Sequence, residues 1–515
     1  MLIWVVTVEV LGLACLPLLR AFFANRRDSA LLSRPAGLAL VAYLGWALSL
    51  SKGIGFERGT LLLALALVAL ASYFVRRAAR RAGQIPEAYW GPEETRAALY
   101  FWVPTAIFLV IRAAVPEVLG AEKFMDLAFL NSLTRSGAMP PADPWMSGHT
   151  INYYYWGYLL AAVLAKISSA ATAVSYNLAV ATFAGYSFTA AACLGLRLAG
   201  GRAAAGLWSG IGSVFAGNLT GAMDAWQSPF AREFDYWHAS RVIHGGTINE
   251  FPFFTFFHSD LHPHLLAFPF FIAAFAVAHR VIEIPPAPLP SPWKAADLLR
   301  KAWPLFLLAL FAGTARAANN WNLPALAILL VFTGVFRETQ GRRLPTAAEA
   351  LRGALVGGGL TLLSLLLWLP YSRSYALLTQ GLAMTTQKSE LLEFLGVWGI
   401  LFAVGYAALL PPVLGGVTDE ASRRRRDLIA ALLSIGCLLA AFAVKAPALI
   451  VILPLGFLGL VVAARALRSP EGNPEDLFTA FLLVLALAMV LGCEFIYFKD
   501  SYGLDLQRMN TIFKF

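Results

Sequence analysis

The chain has 515 residues, of which 59% are hydrophobic and 14% carry a charge. Soluble domains contain roughly 45–50% apolar and about 25% charged residues, so the composition excludes a soluble globular protein and a disordered chain. The net charge of +10 is compatible with binding to nucleic acid or to an acidic membrane surface, and the positions of the charges decide between the two. The composition predicts a multi-pass membrane protein.

Apolar runs recur along the whole sequence. A spanning helix needs ~20 mostly apolar residues, and about fourteen segments approach this length: 2–22, 36–51, 59–75, 99–115, 173–196, 203–220, 263–279, 302–317, 322–336, 352–370, 394–413, 428–444, 447–464 and 477–496. Two of them, within 302–336, are close enough to form a re-entrant hairpin instead. We predict an all-α polytopic fold with N-terminal transmembrane helices in 1–98 and a further transmembrane domain in 99–515.

Clusters of arginine and lysine recur at every second loop between these segments. Such loops stay on the cytoplasmic side, provided that the run 152–168 does not cross the membrane. This run has three tyrosines and a tryptophan at one end and a lysine at the other, which favours a helix lying at the membrane interface. The positive charge is then mainly a topology signal, and nucleic-acid binding is not expected.

The predicted topology places most unusual polar residues on the outer side of the membrane. The outer segments are 116–172, 221–262, 318–321, 371–393 and the tail 497–515. The stretch between His149 and His264 contains six of the seven histidines. This gathering on one face indicates one shared outward-facing site in a multi-pass protein of the plasma membrane.

The first outer loop carries two acids, Glu122 and Asp126, which share one face if the segment is helical. A carboxylate there suits proton acceptance from an attacking hydroxyl or binding of a divalent cation such as Mg or Mn. The alternative for both is a solvated acidic residue of a loop, and it is less favoured for Asp126, because Met125 and Leu127 flank this residue and predict that it is packed. Asp143, in PPADPW, is typical of a turn.

The second outer loop contains the strongest pattern, NEFPFFTFFHSDLHPHLLAFPFF, in which His258, Asp260, His262 and His264 occupy every second position. In an extended stretch these side chains fall on one side. They form a plausible metal set, with Asp126 as a further ligand, or an anion site in which the histidines bind phosphate. The alternative is a polar helix start with Asp260 at the N-cap and Pro263 in the first turn.

Several basic residues fall on the predicted outer side, against the usual topology bias, and they include Arg373, Lys499 and Arg508. Pairing with an anionic lipid head group is one explanation, because arginine suits phosphate. Pairing with Asp500 or Asp505 is the other. The turn at Asn319–Asn322 is equally compatible with a site or with an ordinary connection between two helices.

The motifs MDLAFLNSLTRS, PPADPW, INYYYWGY, FFHSDLHPHLL, NNWNLP and FKDSYG…RMNTIFKF resemble the uncharacterised "YYY" family of multi-pass membrane proteins. The tyrosines that name the family are Tyr153, Tyr154 and Tyr155, and the likeness runs from about residue 100 to the C-terminus. The family has no assigned activity, and its pattern is expected to continue beyond RMNTIFKF.

A more distant resemblance, in the order of spans, acidic outer loop and interfacial helix, is to the GT-C glycosyltransferases, which use polyprenyl-phosphate-linked sugars. It implies a GT-C-like fold in which 99–515 forms the catalytic transmembrane domain, with interfacial helices in the first outer loop. The resemblance also implies a role as base or metal ligand for Asp126, with Glu122 as the weaker choice. Asp260 corresponds loosely to the acidic residues in the second outer loop of GT-C enzymes. The residues expected to bind substrate are Asn152, Tyr153, Tyr154, Tyr155, His258, His262, His264, Arg373, Lys499 and Arg508.

We therefore expect a membrane glycosyltransferase that moves a sugar from a polyprenyl-phosphate carrier to a hydroxyl of a glycan, lipid or protein acceptor on the outer face. A lipid or polysaccharide transporter or flippase is the first alternative, although charged residues in mid-span and an internal repeat are not evident. A metal-dependent membrane hydrolase built on the histidine cluster is the second.

Overall fold

The computed structural model describes residues 1–23, 25–81, 83, 89–227, 235–286, 295–376, 381–414, 420–468, 472–500, 503 and 506–514. These residues are almost entirely helical, and their only strands are two short ones, which confirms the predicted all-α fold. The chain divides into two compact units. Unit 1 comprises Met1–Phe215, Thr255–Glu338 and Pro345–Ala376, and unit 2 comprises Ala216–Phe254, Thr339–Leu344 and Leu377–Phe515.

Unit 1 contains most of the helices. They are α1 (Leu2–Arg20), α2 (Arg26–Ser49), α3 (Arg58–Arg81), α4 (Pro92–Ala114), α5 (Lys123–Arg135), α6 (Tyr155–Ser168), α7 (Thr172–Leu198), α8 (Ala203–Phe215), the end of α10 (Pro252–His258), α11 (Pro263–Glu283), α12 (Ala295–Ala318), α13 (Leu323–Arg337), α14 (Ala347–Leu366) and α15 (Leu369–Arg373). The boundary predicted between residues 98 and 99 falls within α4. The neighbouring helices α3 and α5 both belong to unit 1, as α4 does.

The described part of unit 2 contains six complete α-helices and a small sheet: α9 (Leu219–Gln227), α16 (Leu391–Leu414), α17 (Glu420–Ala443), α18 (Leu449–Arg468), α19 (Pro474–Phe495), α20 (Met509–Lys514), and the strands β1 (Leu382–Met384) and β2 (Ile496–Phe498). Of these, α9 and α20 are short, and the longer helices α16, α18 and α19 carry the apolar core around Phe402, Ile452 and Leu487. The strands pair antiparallel, with Ala383 opposite Tyr497.

Eleven helices in the described part of the chain are long and apolar enough to cross a membrane, and each coincides with a predicted span. The other three predicted spans, 203–220, 302–317 and 428–444, also fall on helices. The first of these is shorter than expected, because α8 ends at Phe215 after 13 residues and α9 begins only at Leu219. At about 1.5 Å per residue, α8 is too short to cross a ~30 Å hydrocarbon layer by itself.

Helix α6 covers most of the run that carries the three tyrosines. Its 14 residues are also too few to span, in agreement with a segment that does not cross the membrane. All of its residues except Lys166 are buried, and it contacts α1, α2, α3, α5, α7, α11 and α12. Protein therefore surrounds the aromatic residues for which the sequence predicted contact with the lipid interface. The Lys166 Nζ donates to the carbonyls of Phe56 and Ser136 at 2.6 and 3.2 Å.

Candidate functional site

Asp126 lies in the first turn of α5 and is completely buried. The hydroxyl of Tyr158, on α6, donates a hydrogen bond to its Oδ1 at 2.5 Å. The hydroxyl of Tyr176, on α7, lies 3.5 Å from its Oδ2. Two tyrosines from two different helices thus hold the carboxyl group of Asp126 in place. This residue of the first predicted outer loop is therefore packed in the protein interior.

Tyr176 also joins Asp126 to the second predicted loop. Its hydroxyl accepts a hydrogen bond from the backbone N–H of Leu261 at 2.8 Å and lies 3.2 Å from the carbonyl oxygen of Ser259. Ser259 has a φ of 65°, a left-handed conformation that non-glycine residues rarely adopt. This turn separates α10 from α11 and holds Asp260 between two backbone positions that are fixed by one tyrosine.

Asp260 is less enclosed than Asp126, with 15% of its side chain exposed. Its Oδ2 lies 3.3 Å from Nε2 of His258, whereas its Oδ1 is buried and has no hydrogen-bond partner among the described residues. Asp260 is not a helix cap, because the N-cap of α11 is His262 and Pro263 is its first residue. The interpretation of this aspartate as an N-cap is therefore wrong, and one of its oxygens is available to a ligand.

The two following histidines continue the site. Nε2 of His262 lies 2.6 Å from Oε2 of Glu122 and 3.2 Å from the hydroxyl of Tyr153, and its Nδ1 lies 2.7 Å from Nδ1 of His264. Glu122 is the most open member, with 53% of its side chain exposed. These four residues form a hydrogen-bonded chain that links the first tyrosine of the YYY motif to a solvent-facing carboxylate.

The electrostatics of Asp126 show that the two acidic loops lie close together. Burial raises the pKa of Asp126 well above its usual value, and the negative charges of Asp260 and Glu122 raise it further, although the hydrogen bonds from Tyr158 and Tyr176 oppose the shift. Burial first, and then the two nearby negative charges, therefore disfavour the ionised form of Asp126.

Two cations near Asp260 were not predicted from the sequence. Arg112, on α4, is buried, and its guanidinium donates to Oδ1 of Asn177 at 2.8 Å and to the carbonyl oxygen of Glu117 at 3.2 Å. Lys123 opens α5, and burial lowers its pKa while the charges of Asp260 and Asp126 raise it. The available signal was the isolated charge of Arg112 in an apolar run, because an ionisable residue at such a place is expensive and often functional.

The predicted metal ligands Asp126, Asp260, His262 and His264 all belong to unit 1. In the described part of the chain, no three of them bring their donor atoms to one point. The contacts of His262 are instead a histidine, a tyrosine and Glu122. A divalent cation at this site stays a prediction.

The other two tyrosines and Asn152 lie beside a second aromatic group. The ring of Tyr154 lies 5.5 Å from that of Tyr375, and the ring of Tyr155 lies 5.0 Å from that of Tyr371. Oδ1 of Asn152 accepts a hydrogen bond from the backbone N–H of Ala376 at 2.8 Å. The YYY motif therefore divides: Tyr153 contacts the histidine chain, and its two neighbours contact the segment that follows α14.

The three basic residues proposed for phosphate binding have different surroundings. Arg373 is exposed at the end of α15, in unit 1, and Lys499 is exposed in unit 2. Arg508 is buried in unit 2, where its Nη2 contacts Oε1 of Glu494 at 2.5 Å. Arg508 thus pairs with an acid, but the partner is Glu494 and not the expected Asp500, which accepts a hydrogen bond from Asn510. The other expected partner, Asp505, lies outside the described residues.

Comparison with known families finds a match. The model of an uncharacterised membrane protein family, the domain of unknown function 2298, matches residues 40–515. The chain belongs to this family. No curated protein and no solved structure matches the chain. The family assignment confirms the predicted uncharacterised multi-pass membrane family, and it supplies no activity.

Proposed function

We propose that this membrane protein is a glycosyltransferase that moves a sugar from a polyprenyl-phosphate carrier to an acceptor hydroxyl at the extracytoplasmic face of the plasma membrane. The observation that carries the proposal is the meeting of Asp126 and the 258–264 segment around Tyr176. Carboxyl groups that lie close together in different environments are suited to proton transfer.

The geometry favours Asp260 as the group that touches the acceptor. A general base needs to reach the proton that it removes, and Asp260 has a buried oxygen without a hydrogen-bond partner among the described residues. Asp126 is completely enclosed, and tyrosines contact both of its oxygens. We therefore assign Asp126 a positioning role: it holds Tyr176, and Tyr176 holds the backbone on both sides of Asp260.

The proposed step is a substitution at the anomeric carbon of the donor sugar. The acceptor oxygen forms a bond to this carbon, while the bond from the carbon to the carrier phosphate oxygen breaks and its electron pair leaves with the phosphate. The acceptor proton passes to the Asp260 carboxylate. Arg112 and Lys123 supply the nearby positive charge that stabilises the leaving phosphate. A divalent cation would find oxygen ligands in Asp260 and Glu122, and no step above requires it.

The test is sugar transfer by the purified protein from a radiolabelled polyprenyl-phosphate donor to a panel of glycan, lipid and peptide acceptors. Asp260→Asn should lower the rate about 10²- to 10⁴-fold, the usual contribution of a general base. Asp224→Asn is the matched control, because Asp224 also pairs with a histidine, at 2.8 Å from Nδ1 of His238, but belongs to unit 2. Equal rates for wild type and Asp260→Asn would overturn the proposal, as would transport of the donor across vesicles without any transfer.

A further inference from the structure

Arg316 is a buried cation without a carboxylate partner. It lies in the last turn of α12, and only 4% of it is exposed. Its Nη1 donates to Oγ of Ser372 at 3.0 Å and lies 3.5 Å from Oδ1 of Asn320. None of the described carboxylates forms an ion pair with it. Because a guanidinium stays protonated in proteins, this positive charge persists inside unit 1.

The unused donors of Arg316 lie on one edge of the guanidinium. Nε and Nη2 are both buried and have no hydrogen-bond partner among the described residues. These two nitrogens carry parallel N–H bonds, the arrangement that binds two oxygens of a carboxylate or a phosphate at once. Ser372 and Asn320 use the remaining nitrogen and so fix the plane of the group. The side chain is held with its bidentate edge free.

Tyr371, whose ring contacts Arg316, provides a third donor. Its ring lies under the guanidinium, with 5.7 Å between the ring centroid and Cζ of Arg316. Its hydroxyl is buried and has no hydrogen-bond partner among the described residues. Tyr371 stacks on Tyr375 at 5.9 Å between ring centroids, and Tyr375 and Asn320 are half-buried. Solvent therefore reaches one residue that contacts Arg316 and one that contacts Tyr371.

Buried charges in proteins are normally paired, because an isolated charge is costly to remove from water. Nε and Nη2 of Arg316 and the hydroxyl of Tyr371 are three hydrogen-bond donors, and none of the described carboxylates pairs with them. An anion would accept their hydrogen bonds and balance the positive charge. A phosphoryl group has three terminal oxygens and matches this count, whereas a carboxylate has two. We propose that Arg316, positioned by Ser372 and Asn320, binds a phosphoryl group through its Nε–Nη2 edge, with Tyr371 as the third donor.

This phosphoryl site uses different residues from the Asp126–Asp260 site and does not require sugar transfer. Its ligand is either the phosphate of a lipid or free phosphate, and the experiment distinguishes the two. Binding of inorganic phosphate and of dodecyl phosphate to the purified full chain is measured by calorimetry, with octanoate as the carboxylate probe. Tighter binding of dodecyl phosphate than of inorganic phosphate indicates a lipid ligand, and equal binding indicates free phosphate. Each of these two results supports the site.

Arg316→Gln should weaken phosphate binding about 10- to 100-fold, because it removes two charge-assisted hydrogen bonds. Arg352→Gln is the matched control, since Arg352 is an exposed arginine of unit 1 that pairs with Glu338. Tyr371→Phe deletes one hydroxyl without removing the charge and should weaken binding several-fold, so the test remains informative if Arg316→Gln does not fold.

Asp260→Asn should bind phosphate as wild type does, which separates this inference from the proposed enzyme activity. The inference is overturned if the wild type binds neither phosphate probe, if octanoate binds as tightly as dodecyl phosphate, or if Arg316→Gln and Tyr371→Phe both bind like wild type. Sugar transfer lost in Asp260→Asn together with unchanged phosphate binding in Arg316→Gln would support the enzyme and reject this site.

Discussion

The Tyr158 hydroxyl donates a hydrogen bond of 2.5 Å to Oδ1 of Asp126, and both side chains are completely buried. The donor is on α6 and the acceptor is on α5. This contact ties the acid of the first predicted loop to the helix that follows the YYY motif. Removing either partner therefore affects both the stability of unit 1 and the position of Asp126.

We expect Tyr158→Phe to destabilise the protein by about 1–3 kcal/mol, because a buried acceptor loses its hydrogen bond. Tyr186→Phe is the control, since the hydroxyl of Tyr186 is buried but has no hydrogen-bond partner among the described residues. Its removal should change stability little. Thermal unfolding of the three proteins in detergent measures the difference. Equal melting temperatures for Tyr158→Phe and wild type would show that the contact does not stabilise the fold.

The pH dependence of stability should change in Asp126→Asn. Burial raises the pKa of Asp126 well above its usual value, so the folded state binds this proton more tightly than the unfolded state does. The contribution of this bound proton to the stability of the folded state is complete below about pH 4, the pKa of aspartate in the unfolded chain. The contribution is lost as the pH rises toward the pKa of Asp126 in the folded state. The side chain of asparagine does not titrate in this pH range, and its amide oxygen can still accept the hydrogen bond from the Tyr158 hydroxyl.

The melting temperature of Asp126→Asn relative to wild type should therefore increase between pH 5 and pH 8. Asp143→Asn serves as the control, because Asp143 lies in a partly exposed turn and accepts hydrogen bonds from the backbone N–H groups of Trp145 and Met146. Parallel pH profiles for Asp126→Asn and wild type would contradict a raised pKa.

The sequence predicts the helices well because a long apolar run is a local signal. Each predicted span falls on a helix, and only 203–220 proved too long, since α8 ends at Phe215. The surroundings of α6 were not predictable in the same way. An aromatic segment followed by a lysine has the same composition whether protein or the membrane interface covers it, and only the tertiary packing distinguishes the two.

The site was predicted in part for a similar reason. The pattern around Asp260 and the acid at Asp126 are visible in the sequence, and both lie in unit 1. Tyr176 and Arg112 lie within apolar helices. The hydrogen bond of Tyr176 with Asp126 and the electrostatic interaction of Arg112 with Asp260 depend on how α4, α5 and α7 pack together. Arg508 was predicted as a phosphate ligand only from its charge and from its predicted position on the outer side of the membrane. In the structure its guanidinium forms an ion pair with Glu494.

Close contact between α13 and α14 should make one glycine much less tolerant of substitution than its neighbour. A Cβ atom at Gly357 would lie 2.5 Å from Cα of Val331, whereas a Cβ at Gly358 would meet nothing within 4 Å. We expect Gly357→Ala to lower the melting temperature, because backbone atoms have to move apart. Gly358→Ala should be neutral or stabilising, since alanine favours helix by about 1 kcal/mol over glycine. Equal effects of the two variants would show that the helices do not pack this closely.

Cysteine labelling in cells tests the predicted sidedness on which the proposed extracytoplasmic activity depends. Ser147→Cys and Arg342→Cys place thiols at exposed positions, in the first predicted outer loop and in a basic predicted inner loop respectively. Background labelling should be low, because Cys15, Cys193 and Cys493 are buried and Cys437 is half-buried. A membrane-impermeant maleimide should modify Ser147→Cys in intact cells and Arg342→Cys only after permeabilisation. The reverse pattern would place the 116–172 loop in the cytoplasm, and a donor at the outer face would then not reach Asp260.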